Sequence, residues 1–176
     1  MPTLQPTDSA PVSDPAQGRS RAGSLERSLD RIAPMLMRAA AETSAAFLSV
    51  PAALSSAREA PRFSIPDALH CSQMNMGDKH QFLFNLSVDR PQWNRLFADP
   101  MPDSMKSDAY CELANCICGA ILADASFMDE FGSMIPCVPC NGASRPEADA
   151  PIRSGTMILG GALIRFTFAI REIDPA

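Results

Sequence analysis

The sequence predicts an α+β domain in which helices pack on one face of a mainly antiparallel sheet. Two observations carry this prediction. The stretches QFLFNLSV and ALIRFTFAIREI alternate apolar and polar residues, as half-buried strands do. Two other segments have helical period, one from about Pro34 to Leu48 and one from Asp103 or Ser104 to about Ala125.

The elements follow in chain order. Residues 1–26 are rich in Pro, Ser, Asp and Gly, so a disordered tail is expected there and a single domain over residues 27–176. Pro34 suits the first turn of a helix whose Ile32, Leu36, Ala39, Thr43, Ala46 and Phe47 have core spacing. SVPAALSSAREAPRFSIP reads as a connection with room for a short strand. ALHCSQMNM and QFLFNLSV are expected to form a hairpin turned at GDK. Phe82, Phe84, Leu86 and Val88 would face the core, and Gln81, Asn85 and Ser87 the other side.

Asp89 is expected to cap a short helix with Pro91 in its first turn and Trp93, Leu96 and Phe97 inward. Asp103 or Ser104 would cap the long helix. FMDEFGSMIPCVPCNG reads as loop and strand broken by two prolines, and ASRPEADAPIRSG as a mobile polar loop. The last stretch places Ile164, Phe166, Phe168 and Ile170 in the core and Arg165, Thr167 and Arg171 in water.

A chain of 176 residues can build one real core. Its net charge of −5 argues against nucleic acid or an anionic membrane as partner. No apolar run approaches the roughly 18 residues of a membrane span. The start, MPTLQPTDSAPVSDPAQG, lacks the basic and apolar regions of a signal peptide, so a cytoplasmic location with reduced thiols is expected. The cysteines are Cys71, Cys111, Cys116, Cys118, Cys137 and Cys140. CVPC has metal or redox spacing, but the histidines are only His70 and His80, and buried cysteines also serve as small apolar residues.

On a helical wheel, Tyr110, Leu113, Ala114, Ile117, Ala120 and Ile121 of the long helix cluster on one side, flanked by Cys111 and Cys118. Asp108, Glu112, Asn115 and Gly119 share an arc of about 60° on the opposite side. Polar residues there often form only a solvated face. Gly119 is costly for a helix, by about 1 kcal/mol relative to Ala, and leaves room for another backbone to approach.

DAYCELANCICGAIL resembles the signature of the CheC/CheX family, bacterial phosphatases of CheY-type response regulators. The pattern is Asp or Ser, three residues, Glu, two residues, Asn and a downstream Pro, and Asp108, Glu112 and Asn115 match it. Pro136 and Pro139 both fall near the usual place of the Pro, and Gly142 favours Pro136. The likeness extends loosely from about Ile65 to Ile173. The first helix has Glu42 followed by Ala45 where two-site members carry a second Glu-x2-Asn, so the resemblance is to single-site CheX.

The resemblance implies hydrolysis of an aspartyl-phosphate on a CheY-like response regulator. Asn115 would orient the attacking water, because an amide both accepts and donates hydrogen bonds. Glu112 would pair with the regulator's Lys, and Asp108, Gly119 and Pro136 would lie in the contact. The Mg²⁺ belongs to the regulator, so no cofactor is expected in this chain. A homodimer is also expected, through edge pairing of strands such as ALIRFTFAI. The rival readings are a docking or scaffold module without catalysis, and a redox or metal sensor built from CVPC and Cys116. Cys116 lies about 40° from Glu112 on the wheel.

Overall fold

A phenylalanine stack at the centre of a seven-stranded sheet organises the molecule. In the computed structural model, residues 15–55, 68–97 and 101–173 are described, with side chains from residue 23 onward. The strands are β1 (Ala52–Leu54), β2 (Ala68–Gly77), β3 (His80–Asp89), β4 (Met134–Pro136), β5 (Cys140–Asn141), β6 (Ile152–Leu159) and β7 (Ala162–Glu172). They lie in the order β1-β6-β7-β3-β2-β4, with β5 also on β2, and every pairing is antiparallel. The β2–β3 hairpin forms where expected and turns at Asp78 and Lys79. Phe84 stacks on Phe168 with ring centroids 5.4 Å apart, and Phe82 on the same ring at 6.1 Å. Phe82, Phe84, Leu86, Val88, Ile164, Phe166, Phe168 and Ile170 are all buried, as their alternation requires.

The helices are α1 (Pro15–Leu48), α2 (Arg90–Asn94), α3 (Asp103–Leu122) and α4 (Ala125–Phe131). Helix α1 starts far earlier than expected, so residues 15–26 are helical; residues 1–14 of the expected tail, and 56–66 of the connection, lie outside the described residues. The cause is a stripe at helical spacing, Leu25, Leu29, Ile32, Leu36 and Ala40, which is buried in the core. Pro34 lies inside this helix on an exposed surface, where its missing N–H removes one backbone bond without placing the ring in the core. The buried stripe runs on through Ser44, whose hydroxyl donates to the Ala40 carbonyl at 2.6 Å, rather than through Thr43 and Ala46.

Capping also differs from expectation. Pro102, not Asp103 or Ser104, is the N-cap of α3, and it offers no side-chain bond. Asp89 is the N-cap of α2 as expected, but its side chain accepts from the Gln92 amide at 2.9 Å instead of from a backbone N–H. Helix α3 ends at Leu122, and α4 occupies part of the expected loop. Asp124 caps it by accepting from the Ser126 N–H at 2.8 Å, while Phe127 and Phe131, one turn apart, enter the core.

Strand β7 lies between β3 and β6, so both of its edges are filled and it is unavailable for the pairing expected of a homodimer. The sheet's second face is also drier than its polar residues suggested, for Asn85, Ser87 and Thr167 are buried. The segment read as a mobile polar loop lies against them. The Asn85 amide donates to the Ser144 carbonyl at 3.0 Å and its oxygen accepts from the Ser144 N–H at 3.1 Å. Arg171 pairs with Glu147 at 2.7 Å, and β6 begins earlier than expected, at Ile152. Among the described residues, no single helix is long and apolar enough to cross a membrane.

Gly155 of β6 marks the close approach of α1 to the sheet. A methyl group there would collide with the Met37 sulfur and the Phe166 ring. Gly155→Ala is therefore expected to destabilise the protein by about 1–3 kcal/mol, read as a lower urea midpoint at unchanged slope.

Candidate functional site

Helix α3 is held by its apolar side. Tyr110, Leu113, Ala114, Ile117, Cys118 and Ile121 are buried, whereas Ala120, expected among them, is exposed. Trp93 of α2 packs edge-on to Tyr110 with centroids 5.0 Å apart, and its indole N–H donates to the Lys106 carbonyl at 3.0 Å. Beneath the helix, β2 places Cys71, Gln73 and Asn75 on the same face as the phenylalanines. The Asn75 amide donates to the Phe82 carbonyl at 3.3 Å and reaches the Cys118 sulfur at 3.9 Å.

The opposite side of α3 points outward. Asp108, Glu112 and Gly119 are exposed and Asn115 is half-buried. Among the described residues, the side chains of Asp108 and Asn115 have no hydrogen-bond or ion-pair partner, and Glu112 has only the Cys116 thiol, 3.8 Å away. A methyl group built on Gly119 meets nothing within 4 Å, so internal packing does not require this glycine. The arc therefore joins two carboxylates, an amide with free donors and acceptor, and an open stretch of helix backbone. Pro136, at the end of β4, is exposed, and Ile135 and Val138 beside it are among the most exposed large apolar residues, at 74% and 82%. Pro139 is half-buried. The equivalent arc of α1 has exposed Glu42 but only Ala45 in place of an amide.

One fastener was not anticipated. Asn141 of β5 accepts at its Oδ1 from the Ser107 hydroxyl at 3.1 Å and from the Cys111 thiol at 3.2 Å. These two residues are one turn apart on α3 and bracket Asp108. No local pattern marks them, because Asn141 is thirty or more residues away in sequence.

The cysteines do not behave as a group. Among the described residues, no three His, Cys, Asp or Glu side chains converge to hold a metal ion. Burial, then the neighbouring Cys111 thiol, push Cys71 well up, and burial raises Cys118 to about 12 against a smaller opposite pull from Asn75. Cys116 is raised by its own burial and then by the adjacent Glu112 carboxylate. Burial also keeps the Tyr110 hydroxyl protonated. Cys137 and Cys140 are exposed beside the bulge that separates β4 from β5.

No family model and no curated protein matches the sequence. Among solved structures the fold has clear relatives. A chemotaxis protein CheX from Desulfovibrio desulfuricans superposes with a TM-score of 0.60 at 13% identity, covering 80% of this chain and 99% of that one. CheX from Vibrio vulnificus gives 0.61 at 9% identity over 77% and 96% of the two chains. The CheX-CheY-BeF3-Mg²⁺ complex from Borrelia burgdorferi gives 0.52 at 12% identity over 78% and 96%. The α+β fold is thus of the CheX/CheC type.

Because Gly119 has no internal packing role, Gly119→Ala is expected to raise stability by up to about 1 kcal/mol. Thermal unfolding monitored by circular dichroism would register this as a higher Tm.

Proposed function

We propose that the chain is a phosphatase for the aspartyl-phosphate of a CheY-type response regulator. The observation that carries this reading is the unsatisfied amide of Asn115, one turn from Glu112 on the outward arc of α3. The fold relatives include a CheX-CheY complex, which supports a CheY-related partner.

Hydrolysis of an acyl phosphate passes through a loose transition state, so placing the water and stabilising charge matter more than a strong base. When α3 is laid over the phosphorylated pocket, the Asn115 carbonyl accepts from the water and its NH₂ donates to a phosphoryl oxygen. Glu112 pairs with the regulator's Lys and sets the register, and Asp108 extends that contact. Gly119 lets the partner's backbone come close, and Pro136 lies at the rim. The Mg²⁺ that neutralises the phosphoryl group is the regulator's, and this chain acts as a cytoplasmic partner without a cofactor of its own.

The second reading, a docking module without catalysis, rests on the same arc, since Glu112, Asp108 and Gly119 would suffice for binding. Phosphate release from a phosphorylated receiver domain separates the two. Asn115→Ala should slow release by about 10²-fold, with binding to the receiver retained. Glu112→Ala should weaken binding as well as rate. Wild-type rates in both variants would refute the catalytic assignment, and both should melt as wild type because the positions are on the surface.

The homodimer remains part of the proposal, with β1 and the β4–β5 side as the sheet edges open to it. Light scattering should return twice the chain mass; the mass of one chain would remove it.

A further inference from the structure

We infer that Cys71 and Cys111 form a reversible disulfide that couples thiol redox state to the presentation of α3. The inference concerns regulation of the site assigned above, and its functional half rests on that assignment.

The two residues meet through tertiary structure. Asn141 stands directly opposite Cys71 in the β2–β5 pairing, so their side chains share the face that α3 covers. The Asn141 amide oxygen receives the Cys111 thiol at 3.2 Å, which brings that sulfur to the side of Cys71, and after burial it is the Cys111 thiol that raises Cys71 most. Cys71 is fully buried, whereas Cys111 is partly exposed at the edge of the helix. One sulfur is thus reachable by a small oxidant and its neighbour is sealed behind it. Cys118 is buried and bonded to Asn75, and Cys116 turns toward Glu112. Neither has such an arrangement.

A small-molecule disulfide such as oxidised glutathione supplies the chemistry. The Cys111 thiolate attacks one of its sulfurs, forming a mixed disulfide and expelling one glutathione thiolate. The Cys71 thiolate then attacks the Cys111 sulfur, and a second glutathione thiolate leaves with the bond between protein sulfurs complete. The two protons lost by the cysteines end on the two glutathiones, which carry the two electrons taken from the protein. Cys71 holds its proton because it is buried, so the second step is slow. This suits a bond that forms only under sustained oxidation in a reducing compartment.

The bond changes the site because Cys111 cannot then donate to Asn141. The sulfur is drawn toward β2 and the first turns of α3 lose half of the Asn141 fastener, which shifts Asp108 on the turn between Ser107 and Cys111 while the buried stripe keeps the rest of the helix from rotating.

The test uses a Cys137→Ser, Cys140→Ser chain, which removes the two exposed thiols and keeps Cys71, Cys111, Cys116 and Cys118. Equilibration with oxidised glutathione should reduce the free thiols from the four that remain to two, and peptide mapping should find Cys71 joined to Cys111. Cys111→Ser in that background should abolish the bridge. Four thiols retained, or a bridge that includes Cys116 or Cys118, would overturn the inference. Oxidation should weaken affinity for a beryllofluoride-charged receiver domain by about tenfold, and dithiothreitol should restore it. Equal affinity in both states would refute the coupling. A chain that binds no receiver in either state counts against the proposed function, while the thiol count still decides whether the disulfide forms.

Discussion

The burial of one stripe of α3 is the constraint on which the site depends. Tyr110, Leu113, Ile117 and Ile121 recur at helical spacing and are sealed against the sheet and its neighbours. Each such side chain contributes about 1.5–3 kcal/mol when fully removed from water, so rotating the helix about its axis would be expensive. The opposite arc is therefore aimed as firmly as the buried stripe is held. Residues sealed in the core decide where Glu112 and Asn115 point.

The edge of the sheet supplies the second constraint. Strand β2 is flanked by a broken strand whose two pieces, β4 and β5, are offset by one residue. Pro136 faces Asn75 and Cys140 faces Ser72, four steps on one strand against three on the other. The bulge leaves Ile135, Pro136 and Val138 exposed beside α3 and brings Asn141 to the helix. The exposed apolar residues of this edge and the fastening of α3 thus share a cause in one misalignment of the strand ladder.

The three solved structures named above share only 9–13% of residues with this chain. What they share is an arrangement of elements, and an arrangement alone does not specify chemistry. The functional reading stands on side chains: an amide without an internal partner, a neighbouring carboxylate and an open glycine. The contrast with α1 makes the same point. Glu42 is exposed on that helix too, but Ala45 has no group to orient a water.

The sequence by itself determined the faces. The alternation of Phe82, Phe84, Leu86 and Val88, and of Ile164 through Ile170, fixes which residues of each strand share the apolar face, and the wheel of α3 separates its core stripe from the arc with Glu112 and Asn115. These are local properties, because side-chain period follows from backbone geometry alone. Tertiary structure decided the neighbours. It extended α1 through Pro34 to reach the core with Leu25, placed β7 between two strands, covered Asn85 and Thr167 with a distant loop, and gathered Cys71, Cys111 and Asn141. Periodicity records which residues share a face, but not what covers that face; contacts between residues far apart in sequence settle that.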